Sequence, residues 1–325
     1  MEYINEAHKV SIYHSDCVEL AKQLPSNSID FSIYSPPFSD VFVYSDSIKD
    51  MGNCTNDDEF FTQYRYLIKE MYRILKPHRL VAIHCCDLQL LKGKDGVIGF
   101  KDFQGRIIQE HINEGFIFHS RVTIWKDPVV EMQRTKSIGL LYKQLCKDST
   151  MSRQGRADYL VILKKPSDKP NTEPVSREAF YDYLGASSIR VSGDDYRSDE
   201  DLKRLYSINV WQRYASPVWF DINQQNTLNA HIAKDESDEK HMCPLQLDLI
   251  GRAIELWSNP NEIVYSPFMG IGSEGVGAIR QGRGFVGSEL KESYYRVACE
   301  NISNVISEKT NLFNQTSPTP PTISE

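Results

Sequence analysis

The chain lacks any apolar run approaching the ~20 residues that a bilayer span needs, and its opening, Met1-Glu2-Tyr3-Ile4-Asn5-Glu6, is not that of a signal peptide. A soluble, cytoplasmic protein is the expectation. Cysteine is sparse and unpaired, with seven residues at 17, 54, 85, 86, 146, 243 and 299 and no C-x-x-C spacing. An odd, scattered set excludes a disulfide framework and offers no zinc site, so reduced thiols that mostly pack are expected and no metal is. Cys85-Cys86, ending an apolar run, is read as buried rather than redox-active. No internal repeat is present, which excludes solenoids and propellers. What remains is 325 residues, 40% hydrophobic and 25% charged, enough for one large α/β domain with an insertion, or for two domains.

Two motifs carry chemistry. The first is Ser35-Pro36-Pro37-Phe38, closing the apolar run Ile29 to Tyr34. Two prolines fix φ and lack N–H groups, so the carbonyls beside them have no strand partner and are free to accept from an NH₂ group. The aromatic ring that follows can stack on a base bearing that amine. The second motif is Val264-Tyr265-Ser266-Pro267-Phe268-Met269-Gly270-Ile271-Gly272-Ser273-Glu274-Gly275, then an apolar-faced stretch to Gln281 and Gly284-Phe285-Val286-Gly287-Ser288-Glu289. It reads as strand, glycine turn, helix, strand, acid. Glycines let backbone approach a ligand, and an acid ending the next strand can accept from both hydroxyls of a ribose. The G-x-G-x-x-G spacing of Gly270, Gly272 and Gly275 also suits a nicotinamide dinucleotide. However, only about fifty residues follow, too few to complete a dinucleotide-binding sheet downstream.

Together these motifs resemble the beta-class DNA amino-methyltransferases, in which the catalytic tetrapeptide precedes the S-adenosylmethionine half. The resemblance covers most of the chain in order. It includes Tyr13 to Leu20, Leu24 to Asp30, Pro77 to His84, Glu114 to Ile117, Ile124 to Lys126 and His241 to Leu247. It implies a Rossmann-like methyltransferase fold with a mostly parallel sheet and permuted motif order. By the same resemblance, Ser35, Pro36, Pro37 and Phe38 are catalytic, and Asp16 accepts from the adenine amine with Cys17 beside it. Ser266, Pro267, Phe268, Gly270, Gly272, Ser273 and Glu289 complete the cofactor set. The chain departs from the family at Ser266, where aspartate is usual, and at Ser35, where aspartate or asparagine is commoner. Serine there goes more often with cytosine, so N4-methylcytosine in DNA is expected and N6-methyladenine is the alternative. Carbon-5 methylation needs a cysteine nucleophile commonly presented after proline. The chain has only Cys243-Pro244, the reverse order.

Net charge is −7, yet Lys126, Arg134, Lys136, Lys143, Lys147, Arg153 and Arg156 face only Asp127, Glu131 and Asp148 across 126–156, a local +4. This segment is expected to meet DNA phosphates through Arg134, Lys136, Lys143, Arg153 and Arg156, with Arg213 joining from downstream. Gln133, Gln144, Ser152 and Gln154 are candidates for reading base edges.

Periodicity predicts helices over Cys17 to Leu24, Asp57 to Leu75, Phe103 to Glu114, Pro244 to Trp257 and Glu292 to Val305. Strands are expected over Ile29 to Tyr34, Leu80 to His84, Phe116 to Trp125 and Tyr159 to Leu163. Strands alternating with helices imply a sheet covered on both faces. The organisation expected is a catalytic half at 1–164, an irregular target-recognition insertion at 165–235, a cofactor half at 236–306 and a disordered tail at 307–325. Trp219 is read as packing. A nicotinamide-dependent oxidoreductase, an inactive DNA-binding relative and a protein or RNA methyltransferase stay open as other readings. A homodimer and a restriction endonuclease partner are left open as well.

Overall fold

The structure is a computed structural model describing all residues except 42, 44, 46, 170–179, 181, 187, 190–197, 230–243 and 316–325; the side chains of 40, 134, 138 and 311–315 are also left aside. Nine strands form one sheet in the order β1-β2-β11-β10-β3-β4-β8-β7-β9. The strands are β1 (Glu2–Asn5), β2 (Val10–His14), β3 (Ile29–Tyr34), β4 (Leu75–Cys86), β7 (Ile117–Ile124), β8 (Asp158–Lys164), β9 (Val218–Trp219), β10 (Ile263–Ser266) and β11 (Gly284–Glu289). A small hairpin, β5 (Leu88–Leu90) with β6 (Gly99–Lys101), stands apart. The pairs β2·β11, β11·β10, β10·β3 and β3·β4 are parallel, and β8 runs antiparallel between β4 and β7. The expected mostly parallel sheet is present as a mixed one.

The centre of the sheet follows from the sequence. All six residues of β3 are buried, as a strand covered on both faces should be, its two polar members being partnered: Asp30 by Lys76, and Ser32 by donating to the Tyr265 carbonyl. On one face lie α1 (Cys17–Gln23), α2 (Asp57–Ile74) and α4 (Phe103–Asn113). α2, capped by Asn56, packs Phe60, Phe61, Tyr64, Leu67, Ile68, Met71 and Ile74 with Val81, Ile83 and Val161. α8 (Leu247–Trp257), α9 (Ser273–Arg280) and α10 (Glu292–Gln315) cover the other, meeting Phe31, Ile33, Ala82 and Val264. Phe31 and Ile33 face this second core and Tyr34 the first, as a strand's period of two requires, while Ile29, ahead of a register shift between Ile29 and Phe31, joins Tyr34 in the first.

Four regions add to or differ from the sequence-based expectations. The N-terminal hairpin β1–β2 extends the sheet and adds a parallel neighbour to β11. The basic segment, for which no element was expected, contains α5 (Pro128–Thr135) and α6 (Tyr142–Lys147), after the short α3 (Lys92–Asp95) upstream. Within the expected irregular insertion, α7 (Asp199–Tyr214) starts at a capping box of Ser198 and Asp201, and β9 joins the edge of β7. Trp219 is fully buried, as read from sequence. α10 runs to Gln315, so the first residues of the expected tail are helical; 316–325 lie outside the described residues.

Candidate active site

From β10 the chain continues to β11 on one side, while β3 continues to β4 on the other. A doubly wound sheet leaves a crevice where its strand order reverses in this way. A cavity of about 600 Å³ occupies that crevice. Ser35, Pro36, Pro37 and Phe38 form one wall, directly after β3. Asp16 and Cys17 approach from the end of β2, and Pro267, Phe268, Gly270 and Ser273 from the turn after β10. Glu289 closes β11. Residues from distant parts of the sequence thus share one cavity because parallel strands end at the same edge.

The turn has the form of a cradle. Gly270 adopts a left-handed φ of 52°, and a Cβ there would meet nothing within 4 Å. Its N–H donates to Glu289 Oε2 at 3.0 Å, and the N–H of Lys291 donates to Oε1 at 2.8 Å. Each carboxylate oxygen keeps lone-pair capacity for a further donor. Burial pushes the Glu289 carboxyl up to about 7. Asp16 caps α1, its Oδ1 accepting from the N–H groups of Val18 and Glu19.

Two sequence-predicted residues do not face the cavity. Ser266 is fully buried within β10, with its hydroxyl lacking a hydrogen-bond partner. Gly272 is required for packing: its φ is 91°, and a Cβ would press to 3.3 Å on Ala298 of α10. Its branched replacement would therefore collide with a helix rather than occupy ligand space.

Other cavity residues escaped the sequence reading. Glu274, in the first turn of α9, is buried, and burial raises its carboxyl to about 8. His84, Cys86, Lys126 and Asp158 line the side behind Ser35. Ser35 Oγ lies 3.2 Å from His84 Nδ1, and His84 Nε2 lies 3.2 Å from Asp158 Oδ2. Lys126 Nζ approaches Asp158 Oδ1 at 2.6 Å. Burial favours a protonated Asp158, but His84 and Lys126 outweigh it and hold the carboxyl at about 2. His84 and Asp158 flank predicted strands, which was the only signal available; nothing local joins residues so far apart. Burial also raises the thiols of Cys17 and Cys86, the latter to about 11, so the cavity cysteines are protonated near neutrality.

Of the predicted DNA-contacting residues, Lys136, Lys143, Arg153, Arg156 and Arg213 do not line the cavity. Arg153 and Arg156 are both 3.5 Å from Glu131, a buried acid, and Arg153 also stacks on Phe100. Lys143 is exposed on α6, and Lys136 is exposed at the left-handed C-cap of α5. Arg213 lies over the Phe220 ring at 4.9 Å. The Arg134 side chain lies outside the described residues.

A family model described as DNA methylase, of the N6/N4 amino-methyltransferase type, matches residues 29–300. The chain belongs to that family. It is an S-adenosylmethionine-dependent DNA amino-methyltransferase, acting on cytosine N4 or adenine N6. It is 22% identical to the type II methyltransferase M.BglI of Bacillus subtilis, over 90% of this chain and 86% of that one. It is 23% identical to the DNA adenine methyltransferase YhdJ of Escherichia coli, over 92% and 83%. Among solved structures, the PvuII DNA methyltransferase, cytosine-N4-specific, superposes with a TM-score of 0.53 at 15% identity, covering 93% of each chain. A Thermus thermophilus protein solved with S-adenosyl-L-methionine gives 0.57 at 17% identity, covering 91% and 93%. At these identities the structural matches establish the fold. No described helix of the methyltransferase is long and apolar enough to cross a membrane.

Proposed function

We propose that this methyltransferase modifies N4 of cytosine at specific sites in DNA. The observation that carries the reading is Ser35, a neutral hydroxyl at the head of the tetrapeptide on the cavity wall. Within the family, serine there accompanies cytosine more often than adenine, and the fold match to the cytosine-N4-specific PvuII enzyme is consistent with it. N6-adenine is the second reading, favoured by the sequence similarity to an adenine methyltransferase. Both bases present an amine beside an unprotonated ring nitrogen.

S-adenosylmethionine, when bound, supplies an activated methyl group. Glu289 would hold its ribose hydroxyls and Asp16 its adenine amine, with Pro267, Phe268, Gly270, Ser273 and Cys17 completing the walls. The protein's task toward the base is to localise a lone pair that the ring withdraws. Ser35 Oγ and the Pro36 carbonyl each accept one amine proton, favouring a pyramidal nitrogen aimed at the methyl. A base inside a duplex must first be flipped out, at a cost of a few kcal/mol, and stacking on Phe38 offsets part of that. Exposed Lys136 and Lys143 would contribute phosphate contacts. Mass spectrometry of nucleosides from treated DNA tests the reading: N4-methylcytidine is expected, and methyladenosine without it would reverse the assignment.

A further inference from the structure

The tetrapeptide's serine is backed by a chain of groups that the amine-binding role does not require. Beside Ser35 in the cavity wall, His84 Nδ1 lies 3.2 Å from its Oγ, and the hydroxyl also reaches the His84 carbonyl at 3.3 Å. Beyond the ring, His84 Nε2 faces Asp158 Oδ2 at 3.2 Å, outside strict hydrogen-bond geometry in this conformation. Asp158 sits opposite Cys86 in the β4·β8 ladder, next to the strand end that carries His84. Lys126, just past β7, completes the array through the other carboxylate oxygen. Both His84 and Asp158 are buried, with relative exposures of 8% and 4%.

A carboxylate facing Nε2 favours the tautomer with hydrogen on Nε2, leaving Nδ1 as the acceptor. Ser35 then shares its single hydrogen between His84 Nδ1 and the His84 carbonyl, both acceptors, and only its lone pairs are turned to the cavity. We propose that His84, held by Asp158, is the positioning residue that fixes Ser35 as an acceptor and takes the proton released on methyl transfer. This rests on the proposed reading of Ser35 as the amine acceptor, and it applies to cytosine and adenine alike.

The steps balance. The amine lone pair forms the N–C bond to the methyl as the C–S bond breaks, and the sulfur keeps that electron pair. The alkylated nitrogen, now cationic, gives one proton to Ser35 Oγ while the Ser35 hydroxyl proton passes to His84 Nδ1. The resulting imidazolium faces the Asp158 carboxylate and later releases its proton to solvent. Groups around the ring are Ser35 and Phe38 after β3, Cys86 on its own strand, Asp158 from β8 and Lys126 after β7; Arg156 and Asp87 lie farther out, near Cys86. Asp158 supports the cation, Lys126 opposes it, and the protonated thiol is neutral. The arrangement parallels a serine–histidine–aspartate relay, but here the serine accepts a proton from the product instead of attacking the substrate.

Single-turnover methylation of DNA as a function of pH tests the proposal on the full chain. In the wild type the rate should rise with pH through a single ionisation. His84→Gln should lower it by roughly 10²–10³-fold and abolish that limb, with cofactor affinity by calorimetry within about twofold. Asp158→Asn should lower the rate and shift the limb to lower pH. A wild-type profile without the limb, or His84→Gln retaining both rate and profile, overturns the proposal. Nitrogen-15 NMR of wild-type His84 is independent of any variant's folding: hydrogen on Nε2 is expected, and hydrogen on Nδ1 in the neutral ring overturns it. Nucleosides from the same wild-type digests identify the methylated base, so failure of the cytosine reading registers separately from failure of the relay.

Discussion

The crevice between β10 and β3 and the basic segment 126–156 are both rich in polar side chains, yet they relate to their sequences differently. In the crevice each motif residue is delivered by a strand end, so short stretches of sequence encode position as well as chemistry. In the basic segment the formal +4 overstates what faces solvent. Lys126 is committed to Asp158, and Arg153 and Arg156 share the buried Glu131. Counting charge along a chain measures composition; only packing decides which charges reach a partner.

Substitutions in the two regions put that contrast at risk. The largest effect is expected in the crevice: Glu289→Ala should weaken S-adenosylmethionine binding by about 1.5–3 kcal/mol, the scale of hydrogen bonds to a charged group, and unchanged affinity by calorimetry would remove the ribose assignment. Next, Gly272→Val should cost about 1–3 kcal/mol of folding stability through left-handed backbone strain, with the clash against Ala298 adding to it. Thermal melts should record this loss, while the folded fraction keeps its cofactor affinity; reduced affinity with an unchanged melt would return Gly272 to the cofactor wall.

In the basic segment, neutralising Lys136 and Lys143 together should flatten the log–log salt dependence of DNA binding by about 0.9 for each phosphate that no longer meets a cation. Neutralising Arg153 and Arg156 should change that slope less and lower thermal stability by roughly 1 kcal/mol, because Glu131 is left without its cations. Equal slopes for the two pairs would erase the distinction drawn between them.

A separate effect in the crevice concerns pH. Glu289 and Glu274 hold their protons up to about 7 and about 8, against 4.5 ordinarily. Their folded values are raised, so the stability they contribute to the cofactor-free protein is complete below about 4.5 and is lost as pH rises toward 8. Cofactor affinity should move the other way, rising severalfold between pH 6 and 8 as Glu289 ionises and its oxygens become better acceptors. Calorimetry at stepped pH reads one trend and thermal melts of the free protein read the other.

The fold class, the tetrapeptide wall, the glycine turn and the acid that ends β11 were all legible in the amino-acid order. These are local features: proline geometry, glycine at positive φ and strand-ending residues act within a few bonds, and each leaves a mark in adjacent letters. Chain packing was needed to turn Ser266 and Gly272 away from the cavity, to gather Arg153 and Arg156 on an internal acid, and to stand His84 and Asp158 behind Ser35. Those facts depend on strand order and on the β4·β8 register, which bring residues 49 and 74 positions apart in the chain to hydrogen-bonding and ion-pairing distance. A sheet edge gathers groups by pairing rather than by proximity in sequence, so their chemistry emerges only when the ladder is complete.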